Sequence, residues 1–273
     1  MTFPGAREYL RRDLWEGRTL IYAIANQKGG VGKTTTAINL AASLAQSGES
    51  VLLVDMDSQA NASHGLGVRV PHGEASILEV LMGEQSLVDI IRNSSVPGLD
   101  VAPSSPDMAG ASVLLPGLSR REFRLRDALK GLLGTDCQYR FIFIDCPPSL
   151  GLLTVNSLVA ADQVIVPVQA EYFALEGLAQ LLSTIAAVRE RLNPSLRIAG
   201  LVLTMMDART SLARQVELEV RTHFPNLSFK TVVPRNVRLA EAPSHGLPVS
   251  LVDPYCAGSD AYFDLALEVV NNG

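Results

Sequence analysis

Lys28-Gly29-Gly30-Val31-Gly32-Lys33-Thr34-Thr35 places three glycines, two ammonium groups and two hydroxyls in eight consecutive positions. Glycines allow backbone angles that turn successive N–H groups inward, forming a nest for phosphate oxygens. A helix starting near Lys33 would present its positive N-terminal end to the same anion. In a phosphate loop of the form G-x-x-x-x-G-K-[ST], the lysine reaches the β- and γ-phosphates and the hydroxyl binds Mg²⁺. Those roles fall on Lys33 and Thr34, with Thr35 at the α-phosphate. The template fits loosely, because the glycines crowd together and a second lysine, Lys28, comes first. The chain has only four lysines, Lys28, Lys33, Lys130 and Lys230, and otherwise uses arginine for positive charge. Two of the four in one loop suggest a site that wants compact ammonium groups rather than planar forks.

Two carboxylate sites complete what a nucleotide hydrolase needs. The apolar run Phe141-Ile142-Phe143-Ile144 ends in Asp145, a strand-end acid of the kind that holds Mg²⁺ through its water shell. A second run, Val51-Leu52-Leu53-Val54, leads into Asp55-Met56-Asp57. If that strand continued, both acids would point the same way, one at the metal and one at the attacking water. Spacing alone does not say which.

The elements that must position these groups follow a repeating pattern. Short apolar runs at 20–25, 51–54, 141–144, 164–168 and 198–203 are continuous rather than alternating, as expected for parallel strands covered on both faces. Helix-period segments lie near 34–47, 152–160, 174–192 and 211–223. This alternation predicts an α/β fold, a mostly parallel twisted sheet with helices on both faces, whose ligand site lies at the carboxyl ends of the strands. The proline-rich stretch 64–140 reads as insertions and crossovers on the same sheet. Residues 1–19 read as an extension, and 20–273 as a single domain.

Composition narrows the function classes. The chain is 47% hydrophobic, with a net charge of -5, which excludes disorder. No apolar run is long enough to span a membrane, and the charged N-terminus is not a signal peptide. Cys137, Cys146 and Cys256 form no pair at ligand spacing, which argues against a zinc site and for a reducing compartment. The four histidines are scattered and carry no expected chemistry.

Taken together, KGGVGKTT, VDMDSQAN and IDCPPS resemble the deviant Walker ATPases within the P-loop NTPases, and more narrowly the ParA/Soj chromosome- and plasmid-partitioning family. The resemblance extends through Pro167–Tyr172, Thr204–Asp207 and Pro234–Pro243, and so over most of the chain beyond Leu20. It implies ATP/ADP and Mg²⁺ as cofactors, with ATP held by Lys28, Gly29, Gly30, Val31, Gly32, Lys33, Thr34 and Thr35. By the same resemblance, Lys28 reaches across a homodimer to the partner subunit's phosphates, and Asp57 positions the attacking water. Thr34 and Asp145 serve the metal, and Pro234 and Asn236 contact adenine. The implied output is an ATP-bound dimer on nonspecific double-stranded DNA, released by hydrolysis that a centromere-binding ParB-like protein stimulates. The setting is the bacterial cytoplasm, on the nucleoid. Arg209 and Arg238 match DNA-contacting positions.

Other outputs of such switches are a MinD-like membrane cycle and control of replication or transcription through a protein partner. The final segment carries Asp260, Asp264 and Glu268 and no lysine or arginine, so anionic lipid would repel it. An electron-transfer ATPase would need paired cluster cysteines, and Cys146 reads instead as a small buried residue. The nineteen leading residues are too few for a helix-turn-helix domain. The run Arg120-Arg121-Glu122-Phe123-Arg124-Leu125-Arg126 reads as a solvated helix face or a further contact for DNA or protein.

Overall fold

The computed structural model describes residues 18–136, 139–171 and 174–272; the leader through residue 17 with Trp15, and also Cys137 and Tyr172, lie outside the described residues. Eight strands form one sheet in the order β3-β4-β2-β5-β1-β6-β7-β8. The five expected strands are β1 (Leu20–Ile24), β2 (Val51–Asp55), β5 (Phe141–Asp145), β6 (Gln163–Gln169) and β7 (Arg197–Met206). All pairings are parallel except β3 with β4.

Three strands escaped the apolar-run criterion. β3 (Arg92–Asn93) and β4 (Leu99–Ala102) belong to the 64–140 stretch and extend the sheet at one edge. β3 is two exposed polar residues, so no hydrophobic signal could mark it. β8 (Ser228–Pro234) is the opposite edge and is only partly buried, which permits Ser228, Lys230 and Thr231 within it. An edge strand has one neighbour and needs no continuous apolar run.

The inner strands are buried on both faces because successive side chains alternate between two cores. Ile21, Ala23, Leu52, Val54, Ile142 and Ile144 point into one, while Leu20, Tyr22, Ile24, Leu53, Phe141 and Phe143 point into the other. Each such side chain contributes about 1.5–3 kcal/mol on burial. The first core is covered by α2 (Ile77–Met82), α3 (Arg124–Leu133), α4 (Leu152–Ala160), α5 (Ala174–Arg191) and α6 (Ser211–His223). The second is covered by α1 (Lys33–Gln46) and α8 (Ala257–Asn272). Between them in sequence lies the short α7 (Val237–Glu241).

From β1 the chain crosses to β2, runs to the edge strand β3, turns back to lay β4 between β3 and β2, returns to insert β5 beside β1, and then builds β6, β7 and β8 on the other side. The direction of winding therefore reverses at β1 and β5. The crevice beyond their carboxyl ends is where an open α/β sheet binds ligands.

Candidate functional site

The glycine-rich loop leaves β1 and enters α1 at that reversal. Gly30 and Gly32 have φ of 75° and 85°, left-handed values that side-chain-bearing residues rarely adopt. Gly32 is the N-cap of α1 and offers no side-chain cap, so the first N–H groups of the helix stay available for an anion. Three tethers hold the loop. Asn26 Nδ2 donates to Pro167 O on β6 at 2.7 Å, and Asn26 Oδ1 accepts from Lys28 N at 3.0 Å. Thr204 Oγ1, on β7, donates to Val31 O at 2.8 Å.

Lys33 is buried, and its Nζ donates to Lys28 O at 3.1 Å. Burial pushes its ammonium below the usual lysine range, while the nearby carboxylates of Asp145 and Asp57 push it back up. Lys28 behaves differently. Its Nζ ends at Glu171 Oε2, 2.7 Å away, and both side chains are substantially exposed. Glu171 also accepts from Gln169 Nε2 at 2.5 Å.

Asp55 and Asp145 end neighbouring strands in register, both fully buried, yet they differ in what they bond. Asp55 accepts from Ser63 N at 2.9 Å, Ser63 Oγ at 2.7 Å and Asp57 N at 3.1 Å. Desolvation raises its carboxyl to about 6 against those bonds. Asp145 Oδ2 accepts from Thr34 Oγ1 at 2.7 Å, while its buried Oδ1 has no hydrogen-bond partner. Burial and the charge of Asp55 push the Asp145 carboxyl well above the carboxylate range. A buried carboxylate oxygen without a partner, beside a threonine hydroxyl and a phosphate nest, suits a hard cation that takes oxygen ligands. Thr34 and Asp145 are therefore the residues that would hold Mg²⁺, which when bound would offset charge on phosphate oxygens.

The condition for a parallel aim of Asp55 and Asp57, a strand continuing past Asp55, is not met. β2 stops at Asp55, and the following turn lets Asp57 Oδ1 accept from Gln59 N at 3.0 Å. Asp55 organises that turn, and Asp57, with slight exposure, sits close enough for its charge to act on Lys33.

Beside the loop lies a cavity of about 340 Å³ bordered by Gly32, Thr35, Met205, Pro234, Asn236 and Tyr262. Pro234 ends β8, and Asn236 caps α7 through Oδ1, which accepts from Arg238 N at 2.8 Å. The Asn236 amide retains its two donors for a ligand. Met205 holds a left-handed φ of 52°, an unfavourable conformation for a side-chain-bearing residue that brings it to the cavity wall. Thr204, Met205, Tyr262, Asn26 and Glu171 were not singled out from sequence; Thr204, Met205 and Glu171 lay inside the quoted motifs.

The two candidate DNA-contacting arginines are both paired with carboxylates. Arg209 makes a two-pronged contact with Asp207, Nε–Oδ1 2.8 Å and Nη2–Oδ2 2.7 Å, holding the Asp207 carboxyl down at about 2. Arg238 lies 2.9 Å from Glu241 and 3.3 Å from Asp253. In the run 120–126, Arg124 donates to Leu81 O and Met82 O at 2.6 and 2.7 Å. Arg120 and Arg126 lie over the Phe123 ring at 5.3 and 4.3 Å. That run is therefore spent largely on internal contacts rather than forming a plain solvated face. Cys146 is buried, which pushes its thiol up to about 12, as suits a packing residue.

Comparison with known proteins shows the family to which the chain belongs. The AAA domain family matches residues 19–198. The chain is 53% identical over 251 residues to the chromosome partitioning protein ParA of Caulobacter vibrioides, covering 92% of this chain and 94% of that one. It is 52% identical to the sporulation initiation inhibitor protein Soj of Bacillus subtilis, covering 93% and 99%. Among solved structures, cobyrinic acid a,c-diamide synthase from Mycobacterium smegmatis, with a bound ATP analogue and magnesium, superposes with a TM-score of 0.79. It shares 36% identity, covering 91% of this chain and 93% of that one. The chain belongs to the ParA/Soj family of chromosome-partitioning ATPases.

Proposed function

We propose that residues 20–273 form one ATPase domain that binds Mg²⁺–ATP, closes as a homodimer on nonspecific double-stranded DNA, and lets go on hydrolysis. The observation that carries the nucleotide reading is the continuity of three features at the sheet reversal. These are the tethered phosphate nest, the partnerless Asp145 oxygen beside Thr34, and the cavity that joins Gly32 and Thr35 to Pro234 and Asn236. Phosphates lie on the loop, and the base occupies the cavity.

The reaction is in-line transfer of the γ-phosphoryl group to water. Lys33, buried and fixed on the loop, offsets developing charge on the phosphate oxygens. Asp57 orients the water, since Asp55 is fully engaged. Lys28 reaches outward to the rim, consistent with delivery across a dimer to the partner's nucleotide. Positive charge supplied this way in GTPases is worth about 10³–10⁵ in rate. Because that charge arrives only in the dimer, the γ-phosphate couples association to hydrolysis.

Arg209 and Arg238 supply the DNA contacts, local positive charge on a chain of net charge -5. The similarity to ParA and Soj supports a centromere-binding ParB-like partner as the stimulator of hydrolysis, in a bacterial cytoplasm, on the nucleoid. A membrane output is disfavoured. The carboxylates of α8, which carries no basic residue, would be repelled by anionic lipid; separately, among the described residues no helix is long and apolar enough to cross a membrane.

The test is DNA binding by Asp57→Ala protein with ATP, with ADP, and with ATP plus Arg238→Glu, each at two salt concentrations. Tight, salt-sensitive binding with ATP alone, lost on charge reversal, is the expected result. Binding that ignores the nucleotide while ATP dimers form in solution would overturn DNA as the output and leave the phosphate site standing.

A further inference from the structure

At the amino-terminal end of the sheet, opposite the phosphate loop, lies a groove of about 590 Å³. Its walls include Leu129 and Leu133 of α3, Val159 at the end of α4, and Leu192 just past α5. Leu133 is 39% exposed, while Leu129 and Leu132 of the same helix are buried. The basic side chains Arg126 and Lys130 stand on the same groove; Arg126 packs over Phe123, and its buried Nε, 3.6 Å from Asp127 Oδ1, makes no hydrogen bond. None of these groups serves the nucleotide site.

The chain itself enters this groove. Arg18 and Thr19 belong to its lining. Arg18 Nη2 is held 2.6 Å from Asp162 Oδ1, and Thr19 Oγ1 donates to Tyr139 O at 2.6 Å. Residues 18 and 19, which follow the leader directly, are thereby held at the groove's rim. Trp15 precedes Arg18 by three residues, so its Cα lies within about 10–11 Å of that anchor whatever the backbone does. Leu14 is one residue further along, and Asp13 and Glu16 are the acidic residues of the same short segment.

We propose that this groove is the docking site of the chain's own leader, residues 10–16, with Trp15 and Leu14 against Leu133 and Leu192 and the acidic pair toward Arg126 and Lys130. Tethering gives the segment a local concentration in the millimolar range or above, so modest apolar burial suffices to hold it. The groove lies at the end of β1 away from the phosphate loop, so docking is independent of which nucleotide is bound.

Trp15 is the only tryptophan in the chain, which makes its fluorescence a direct reporter. Acrylamide quenching is measured on the full-length protein and on a synthetic peptide of residues 1–20. The expected result is several-fold slower quenching in the protein, unchanged by dilution and equal with ATP or ADP. Leu14→Asp and Leu133→Asp should each restore peptide-like quenching. Should Leu133→Asp fail to fold, Pro194→Asp, on an exposed turn of the same groove, takes its place. Peptide-like quenching in the unmodified protein would overturn the proposal. Protection that survives the groove substitutions would also overturn it, placing Trp15 elsewhere. So would protection lost on dilution, which marks a second copy as the partner.

Discussion

Asp55 and Asp145 stand side by side at the ends of β2 and β5, and one carboxylate is fully hydrogen-bonded while the other keeps a buried oxygen without a partner. Two acids in matching positions thus have different work. Asp55 shapes the turn that carries Asp57, and Asp145 is left for a cation.

Asp57→Asn is therefore expected to lower kcat for ATP hydrolysis by about 10²–10⁴, the range for a positioned acid–base group, with little change in melting temperature. Asp55→Ala should destabilise instead, because it strands three donors at about 1–3 kcal/mol each. Steady-state hydrolysis and thermal unfolding on both variants check this. Equal losses of stability would refute the division of labour.

The raised carboxyl of Asp55 sets a pH dependence. In the unfolded chain it titrates near 4, and in the fold at about 6. The native state binds the extra proton across that interval, so this group's contribution to stability is full below pH 4 and is lost as pH rises through 6. Asp55→Asn should lower stability at every pH by disturbing the Ser63 bonds, and should also flatten the fall between pH 4 and 6. Urea unfolding at several pH values, without nucleotide, measures the slope; an unchanged slope would assign it to other groups.

Thr204→Val removes the 2.8 Å bond to Val31 O while keeping the side chain's shape. The loop then loses one of its three tethers. Nucleotide affinity should weaken about two- to tenfold, the equivalent of one neutral hydrogen bond, with stability nearly preserved. Calorimetric titration with ADP reads the change, and an unaltered dissociation constant would show that the other two tethers suffice.

The pairing of Arg209 with Asp207 and of Arg238 with Glu241 predicts that DNA must compete with carboxylates of the chain itself. Asp207→Asn and Glu241→Gln should tighten DNA binding in the ATP state. Arg238→Ala should reduce the salt slope by about 0.9, the value for one phosphate contact. Fluorescence anisotropy across a salt series distinguishes these; weaker binding by Asp207→Asn would mean that Asp207 orients Arg209 toward DNA.

The sequence by itself determined the five buried strands, the four helices that alternate with them, and the phosphate loop. Those features are local: a central strand needs a continuous apolar run, and a loop that cradles phosphate needs glycines next to its lysine. Tertiary structure decided what depends on partners distant in the chain. β3 and β8 are strands because a neighbour accepts them, so their polar residues gave no signal. Asp55 could not be told from Asp57 by spacing, since the difference lies in Ser63 and in where β2 stops. Thr204 supports the loop from 173 residues away, and Pro234 and Asn236 reach the same cavity as Gly32 only because β7 and β8 lie on the same side of β1. The basic run 120–126 likewise gives no sign in sequence that Arg124 is held by the end of α2, through Leu81 O and Met82 O. Hydrophobic patterning is written along the chain, whereas hydrogen-bond partners and charge environment exist only once distant segments meet.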